Sequence, residues 1–361
     1  MVFYVDLVLY LDAHQPRRLR RVPPKKLLRA EELLDEKLDK AVLERVAQTC
    51  YKPLLKLLVS EKGLRLALRL SGTLLEQMEA WRPDLLELVK ALARKGKVEL
   101  VASPYYNSVA SLIDAGEFVE QVKQHFKLLI ELVGVKPRVF ANPFLLYSNE
   151  VAWLVGEELG LDVVITEACP RVLGWRAPSY VYRAPKSRVK LLLRDYRLSD
   201  EVAFGLSTGL QASDYAARVS RIEGQVVLIG FPAETFGEFI PASVGVFEFL
   251  KGLPRELSRY PWMRISTPSE TAHRYEPVDE LNVQEPVTWF EGKNVSALTE
   301  SPLQAAALEI LRELMGKALS SNLARAWRLL TQADILYSMK SDIGAFMAFE
   351  RAACALRSSL N

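Results

Sequence analysis

Short apolar strands alternate with amphipathic helices along most of this chain, and that alternation constrains the fold more than any other feature. The run "VFYVDLVLYL" (Val2 to Leu11) leads through a basic loop into a helix around "EKLDKAVLERVAQTC". The strands "LRLALRL", "KVELVAS", "RVFANP", "DVVITEA", "VKLLLR", "VVLIGF" and "MRIST" follow, most of them with a helical segment after them. Leucines at alternate positions in "LRLALRL" have the period of a strand, and Gly96 stands where a helix C-terminus is expected. Such alternation implies an α/β architecture with a mainly parallel sheet. Seven or eight units in about 270 residues suit a closed barrel better than an open sheet.

Proline and charge interrupt the pattern in "RYEPVDELNVQEPVTWFEGKN" (Arg274 to Asn294), which reads as a linker. Helical periodicity resumes after it. The expected organisation is a barrel over residues 1–275, then a linker and C-terminal helical subdomain over 276–361.

Composition excludes several classes. Half of the 361 residues are hydrophobic and a quarter charged, as in a water-soluble globular protein. A net charge of +3 gives no support to a nucleic-acid binder. The cluster "PRRLRRVPPKK" is the one strong basic bias, read first as a solvated loop. Its alternative is a docking edge, Arg17–Lys26, for an acidic partner or nucleic acid. Three scattered cysteines, Cys50, Cys169 and Cys354, fit a reducing cytoplasm. Three histidines, His14, His125 and His273, are too few for most imidazole metal sites. No phosphate-binding glycine motif occurs, so no cofactor is expected. The apolar N-terminal run is too short to span a bilayer, so no membrane association is expected either.

In a parallel barrel, functional groups gather where strands end. That rule selects Asp12 and His14, then Ser71 and Glu76, then Ser103, Tyr105, Tyr106 and Asn107. It continues with Asn142 and Phe144, Glu167, Arg197 and Asp200, and finally Pro232 and Glu234. The set is polar and aromatic, which suits a sugar. Trp175 and Trp81 are candidate stacking platforms, although any single aromatic is more often core or loop packing. His14 is balanced between facing a ligand and a structural role, while His125 lies mid-helix and reads as structural. Two stretches, "TFGE" (Thr235 to Glu238) and "TPSE" (Thr267 to Glu270), have the spacing of a capping box.

The blocks "LDAHQPRRL", "SGTLLEQMEAW", "YYNSVASL", "NPFLLYSNEVAWLV", "VLGWRAPSYVYR", "DYRLSDEVAF" and "ETFGEF" together resemble glycoside hydrolase family 57, nearest its α-amylase branch. The resemblance implies an incomplete (β/α)7 TIM-like barrel with a C-terminal α-helical subdomain. It also implies retaining chemistry on α-1,4-glucans, with two carboxyl groups about 5–5.5 Å apart. On the family pattern the nucleophilic glutamate falls at Phe144 and the acid/base aspartate at Pro232. Neither can attack a sugar or carry a proton. Ser103, Asn107, Phe239 and Ile335 replace further acids and imidazoles of that pattern. His14, Gln15, Glu76, Glu167, Trp175, Arg197, Asp200, Glu234 and Glu238 agree with it.

The expected ligand contacts are therefore His14, Gln15, Glu76, Tyr105, Tyr106, Asn107, Trp175, Arg197 and Asp200. The reading is a pseudoenzyme that keeps α-glucan binding or docks on an active relative. A relocated pair, Glu234 with Glu167, is the catalytic alternative. The leucine- and charge-rich composition also suggests a thermophilic archaeon.

Overall fold

In a computed structural model the chain is described from Tyr4 to Leu360. Val2 and Phe3, the start of the first expected strand, lie outside the described residues. The strands are β1 (Val5–Ala13), β2 (Leu66–Leu70), β3 (Val98–Ala102), β4 (Val139–Phe140) and β5 (Val163–Glu167). They continue as β6 (Tyr182–Arg183), β7 (Lys190–Arg194), β8 (Val226–Pro232) and β9 (Met263–Ile265). Parallel pairing runs β2-β3-β4-β5-β7-β8-β1, and β1 also pairs with β2, which closes a seven-stranded barrel. β1 divides one edge between two neighbours: Val5–Leu7 pair with β9 and Tyr10–Ala13 with β2. The expected incomplete (β/α)7 TIM-like architecture is thus observed. Only the two-residue β6, antiparallel to β7, has no counterpart among the expected strands.

The strand pattern explains the burial. Every residue of β1 is buried, because a barrel strand has helices on one face and the lumen on the other. Leu7, Leu9 and Leu11 join the core beneath the helices, whereas Val8 and Tyr10 join the lumen core. Side chains alternate along a strand, so Asp12 also faces the lumen, one layer above Tyr10. The same count puts Arg69 above Ala67, Glu167 above Ile165, Arg194 above Leu192, and Pro232 above Gly230. These residues form the top layer of the barrel. Gly230 pairs with Tyr10, and a Cβ there would meet the Tyr10 ring at 2.9 Å.

After the barrel come the helices Pro302–Leu319, Ala324–Leu330, Ala333–Ser338 and Ile343–Ser359, which share a separate core around Trp327 and Phe349. That core takes in Leu33, Leu34 and Tyr106 from the barrel loops. Ion pairs reinforce the seam. Arg325 grips Glu76 through Nη1 and Nη2 at 2.8 and 3.0 Å, and Arg328 grips Glu117 at 2.7 and 3.0 Å.

The segment read as a linker is not a free tether. Val278 donates to the Val181 carbonyl, Val287 and Tyr147 exchange backbone hydrogen bonds, and Trp289 donates to the Phe144 carbonyl at 2.9 Å. Its prolines interrupt local periodicity without preventing these long-range bonds.

Candidate functional site

A cleft of about 320 Å³ opens at the top of the barrel, over the ends of β8, β1 and β2 and the loops after β3 and β4. Asp12, His14, Gln15 and Pro16 reach it from the end of β1, and Arg69 from β2. Asn107 and Phe144 reach it from the loops after β3 and β4, and Pro232, Glu234, Glu238 and Phe239 from the end of β8. The helix Glu36–Val46 adds Val42, Arg45 and Val46; Trp289 and Asp334 come from beyond the barrel. Phe144 and Pro232, where the resemblance puts the two reacting carboxyls, thus line one cavity.

Its polar wall is tightly bonded. Ser71 caps the helix Gly72–Trp81 by accepting from Leu74, and its Oγ lies 2.7 Å from His14 Nδ1. His14 Nε2 lies 2.8 Å from Asp334 Oδ2, which also accepts from Asn107 at 2.9 Å. Arg69 joins Asn107 Oδ1 at 2.8 Å to Asp12 Oδ1 at 2.7 Å. The order Ser71–His14–Asp334 has the connectivity of a nucleophilic triad. Ser71, however, is fully buried under the helix it caps, so no substrate can reach its hydroxyl. The chain instead fixes the orientation of His14, which ties the barrel to the helix Ala333–Ser338.

Glu234 differs from the other carboxyls of the cleft. Asp12 is paired with Arg69, Asp334 with His14, and Glu238 with Arg45 at 2.7 Å. Among the described residues Glu234 has no cationic partner. It accepts from the Tyr51 hydroxyl and from the His14 amide at 3.3 Å. Burial pushes it up to about 7; the Tyr51 bond lowers it and nearby Asp12 raises it further.

Glu167 lies outside the cleft. Arg194 Nη1 holds it at 3.0 Å and Lys293 Nζ stands 3.5 Å away. Burial still pushes Glu167 up to about 7 against both cations. Arg194 also binds Asp200 at 2.9 Å.

Of the expected ligand contacts, His14, Gln15 and Asn107 meet in the cleft. Glu76, Tyr105 and Tyr106 gather instead at the seam around Arg325, where the Tyr105 hydroxyl donates to Glu76. Arg197 lies over the neighbouring Tyr196 ring. Trp175 is 91% exposed beside a separate surface hollow with Tyr180 and Tyr182. Trp81 lies beneath the Arg17 guanidinium.

Four sequence expectations change or gain detail here. The "TFGE" capping box is absent: Ala233–Thr235 is a single 3-10 turn, and the next α-helix starts at Val246. Gly237 has φ +104, and a Cβ there would collide with the Thr49 carbonyl, so the chain turns away before a helix can start. Glu238 points instead to Thr49 Oγ1, at 2.6 Å, and to Arg45. "TPSE" does start a helix, with Glu270 accepting from the Thr267 amide at 3.1 Å. His125 is structural as expected: its ring accepts from Ser103 and faces the Leu70 carbonyl, and burial lowers its pKa to about 4. In the basic edge, Arg17 and Arg18 are spent on buried Asp39, leaving Arg20, Arg21, Lys25 and Lys26 exposed. Sequence reasoning missed Trp289, Asp334 and Arg69. Each comes from a segment read as linker, tail or strand interior, where only the tertiary fold reveals its position.

Among the described residues no group of three or more metal-ligating side chains forms a candidate metal site. None of the described helices is long and apolar enough to cross a membrane.

The model of glycosyl hydrolase family 57 matches residues 8–284. A Methanocaldococcus jannaschii protein named "Putative alpha-amylase" is 34% identical over 342 residues, spanning 91% of this chain and 72% of its own length. A branching enzyme from Thermococcus kodakaraensis superposes with a TM-score of 0.75 at 13% identity, covering 98% of this chain and 88% of that one. A 4-alpha-glucanotransferase from Thermococcus litoralis gives a TM-score of 0.66 at 16% identity, with 91% of this chain matched to 48% of that one. The family match over most of the chain and the 34% identity across 91% of it agree with the barrel geometry: this chain belongs to glycosyl hydrolase family 57.

Proposed function

We propose that this protein binds an α-glucan in the barrel cleft and does not cleave it. The observation that carries this reading is the joint presence of Phe144 and Pro232 on the wall of one cleft. Retaining hydrolysis needs a nucleophilic carboxylate and an acid about 5–5.5 Å apart. Phe144 instead packs against Phe290, with ring centroids 4.6 Å apart. The cleft still suits a sugar, because its lining combines hydrogen-bonding groups with the rings of Phe144, Phe239 and Trp289. On this reading His14, Gln15 and Asn107 contact the glucan, and the chain divides at 275/276 into barrel and helical portion.

An active enzyme is the second reading, favoured by one observation: Glu234, with a pKa near 7, is tuned for general acid work at neutral pH. Its expected partner Glu167 is held by Arg194 and Lys293 outside the cleft. The test is incubation with maltooligosaccharides and glycogen, with product analysis beside direct calorimetric binding. Binding without products supports the proposal. Products that vanish in Glu234→Gln support the second reading.

A further inference from the structure

We infer that residues Trp289–Lys293 form a fixed strap that makes the cleft a chain-end site, taking one or two sugar units and excluding the interior of an α-glucan. This rests on the glucan-binding reading above. The strap crosses the ends of three consecutive barrel strands. Beyond β4, the Trp289 amide donates to the Phe144 carbonyl at 2.9 Å. At the end of β5, Lys293 Nζ stands 3.5 Å from Glu167. Beyond β7, the same ammonium lies 4.5 Å from the centre of the Tyr196 ring, and Arg194 lies 5.8 Å from that of Trp289. Lys293 Nζ also donates to the Trp289 carbonyl at 3.2 Å, which closes the strap on itself.

The cleft takes its lining from the ends of β8, β1 and β2 and from the loops after β3 and β4, with no lining residue from β5 or β7, and Trp289 of the strap lines it as well. A site for the middle of a polymer needs an exit on both sides, and here one is filled by side chains. At about 320 Å³ the cavity lies at the small end of ligand pockets, which run from about 300 to 1,000 Å³. That room fits a mono- or disaccharide.

The test titrates the intact protein with glucose, maltose, maltotriose, maltohexaose and a cyclic α-glucan, which has no ends, by calorimetry. The expected result is affinity that rises from glucose to maltose and then stays within about twofold, with no binding of the cyclic glucan. Affinity that climbs through maltohexaose, or a cyclic glucan bound as well as maltose, would overturn the chain-end inference while leaving glucan binding intact. Failure of every glucan to bind would overturn both. Lys293→Ala, which removes the strap's anchor outside the cleft, should leave glucose binding unchanged. It should restore a gain of up to about fivefold per added unit beyond maltose, the worth of one further hydrogen-bonded contact. A Lys293→Ala length profile identical to the wild type would count against the strap as the cause.

Discussion

At Glu234, burial outweighs the Tyr51 hydroxyl donor and pushes the carboxyl up to about 7. Raising a carboxyl from 4.5 to about 7 on folding has a definite sign. Between those values the folded state holds a proton that the unfolded state has released, so stability falls as pH rises through the window. The shift corresponds to roughly 3 kcal/mol at full extent. Glu234→Gln keeps the neutral shape, so it should be the more stable protein at pH 8 and lose that advantage near pH 4. Denaturant midpoints of both proteins across pH check this, and difference infrared spectra should show the protonated carboxyl directly. At the reacting positions, the double change Phe144→Glu with Pro232→Asp should recover little or no hydrolysis of maltooligosaccharides. Ser103, Asn107 and Phe239 would remain, and Phe144 sits at φ +55 within an aromatic cluster. Product analysis reads the outcome.

Among the elements, the strands of the barrel were legible because each writes its own short apolar run. Gly230 shows what the barrel asks of them. Gly230→Ala should cost about 1–3 kcal/mol, since the added methyl would press on a Tyr10 ring that fills the lumen. A urea midpoint checks it. The seam with the C-terminal helices rests on buried charge. Glu117→Ala would leave Arg328 without its partner and should cost about 3 kcal/mol, by the same measurement. The cap reading succeeded at "TPSE" and failed at "TFGE" for a physical reason. Both have the right residue spacing, but Gly237 turns the second one toward Thr49 before a helix can begin. Residue spacing records a local possibility, and the tertiary neighbour decides it.

For the whole molecule, the fold class followed from periodicity and the family from ordered sequence blocks. Within the candidate site, strand-end counting found Asp12, His14, Asn107, Phe144, Pro232 and Glu234, which converge on one cleft. It also selected Glu76, Tyr105 and Tyr106, which converge on Arg325 instead, because a strand end can face the helical seam as well as the lumen. Asp334 and Trp289 were illegible, since their roles depend on contacts made across hundreds of residues and across the segment read as a linker. The strap changes how that segment is understood: prolines and charges mark the absence of helix, not the absence of structure. The central claim is that a family 57 barrel here binds without cutting. It is tested most directly by prolonged incubation of the protein with maltohexaose, monitored for products while binding is measured on the same sample. The account predicts saturable binding with no shortened or lengthened chains. Steady product formation that disappears in Glu234→Gln would contradict it.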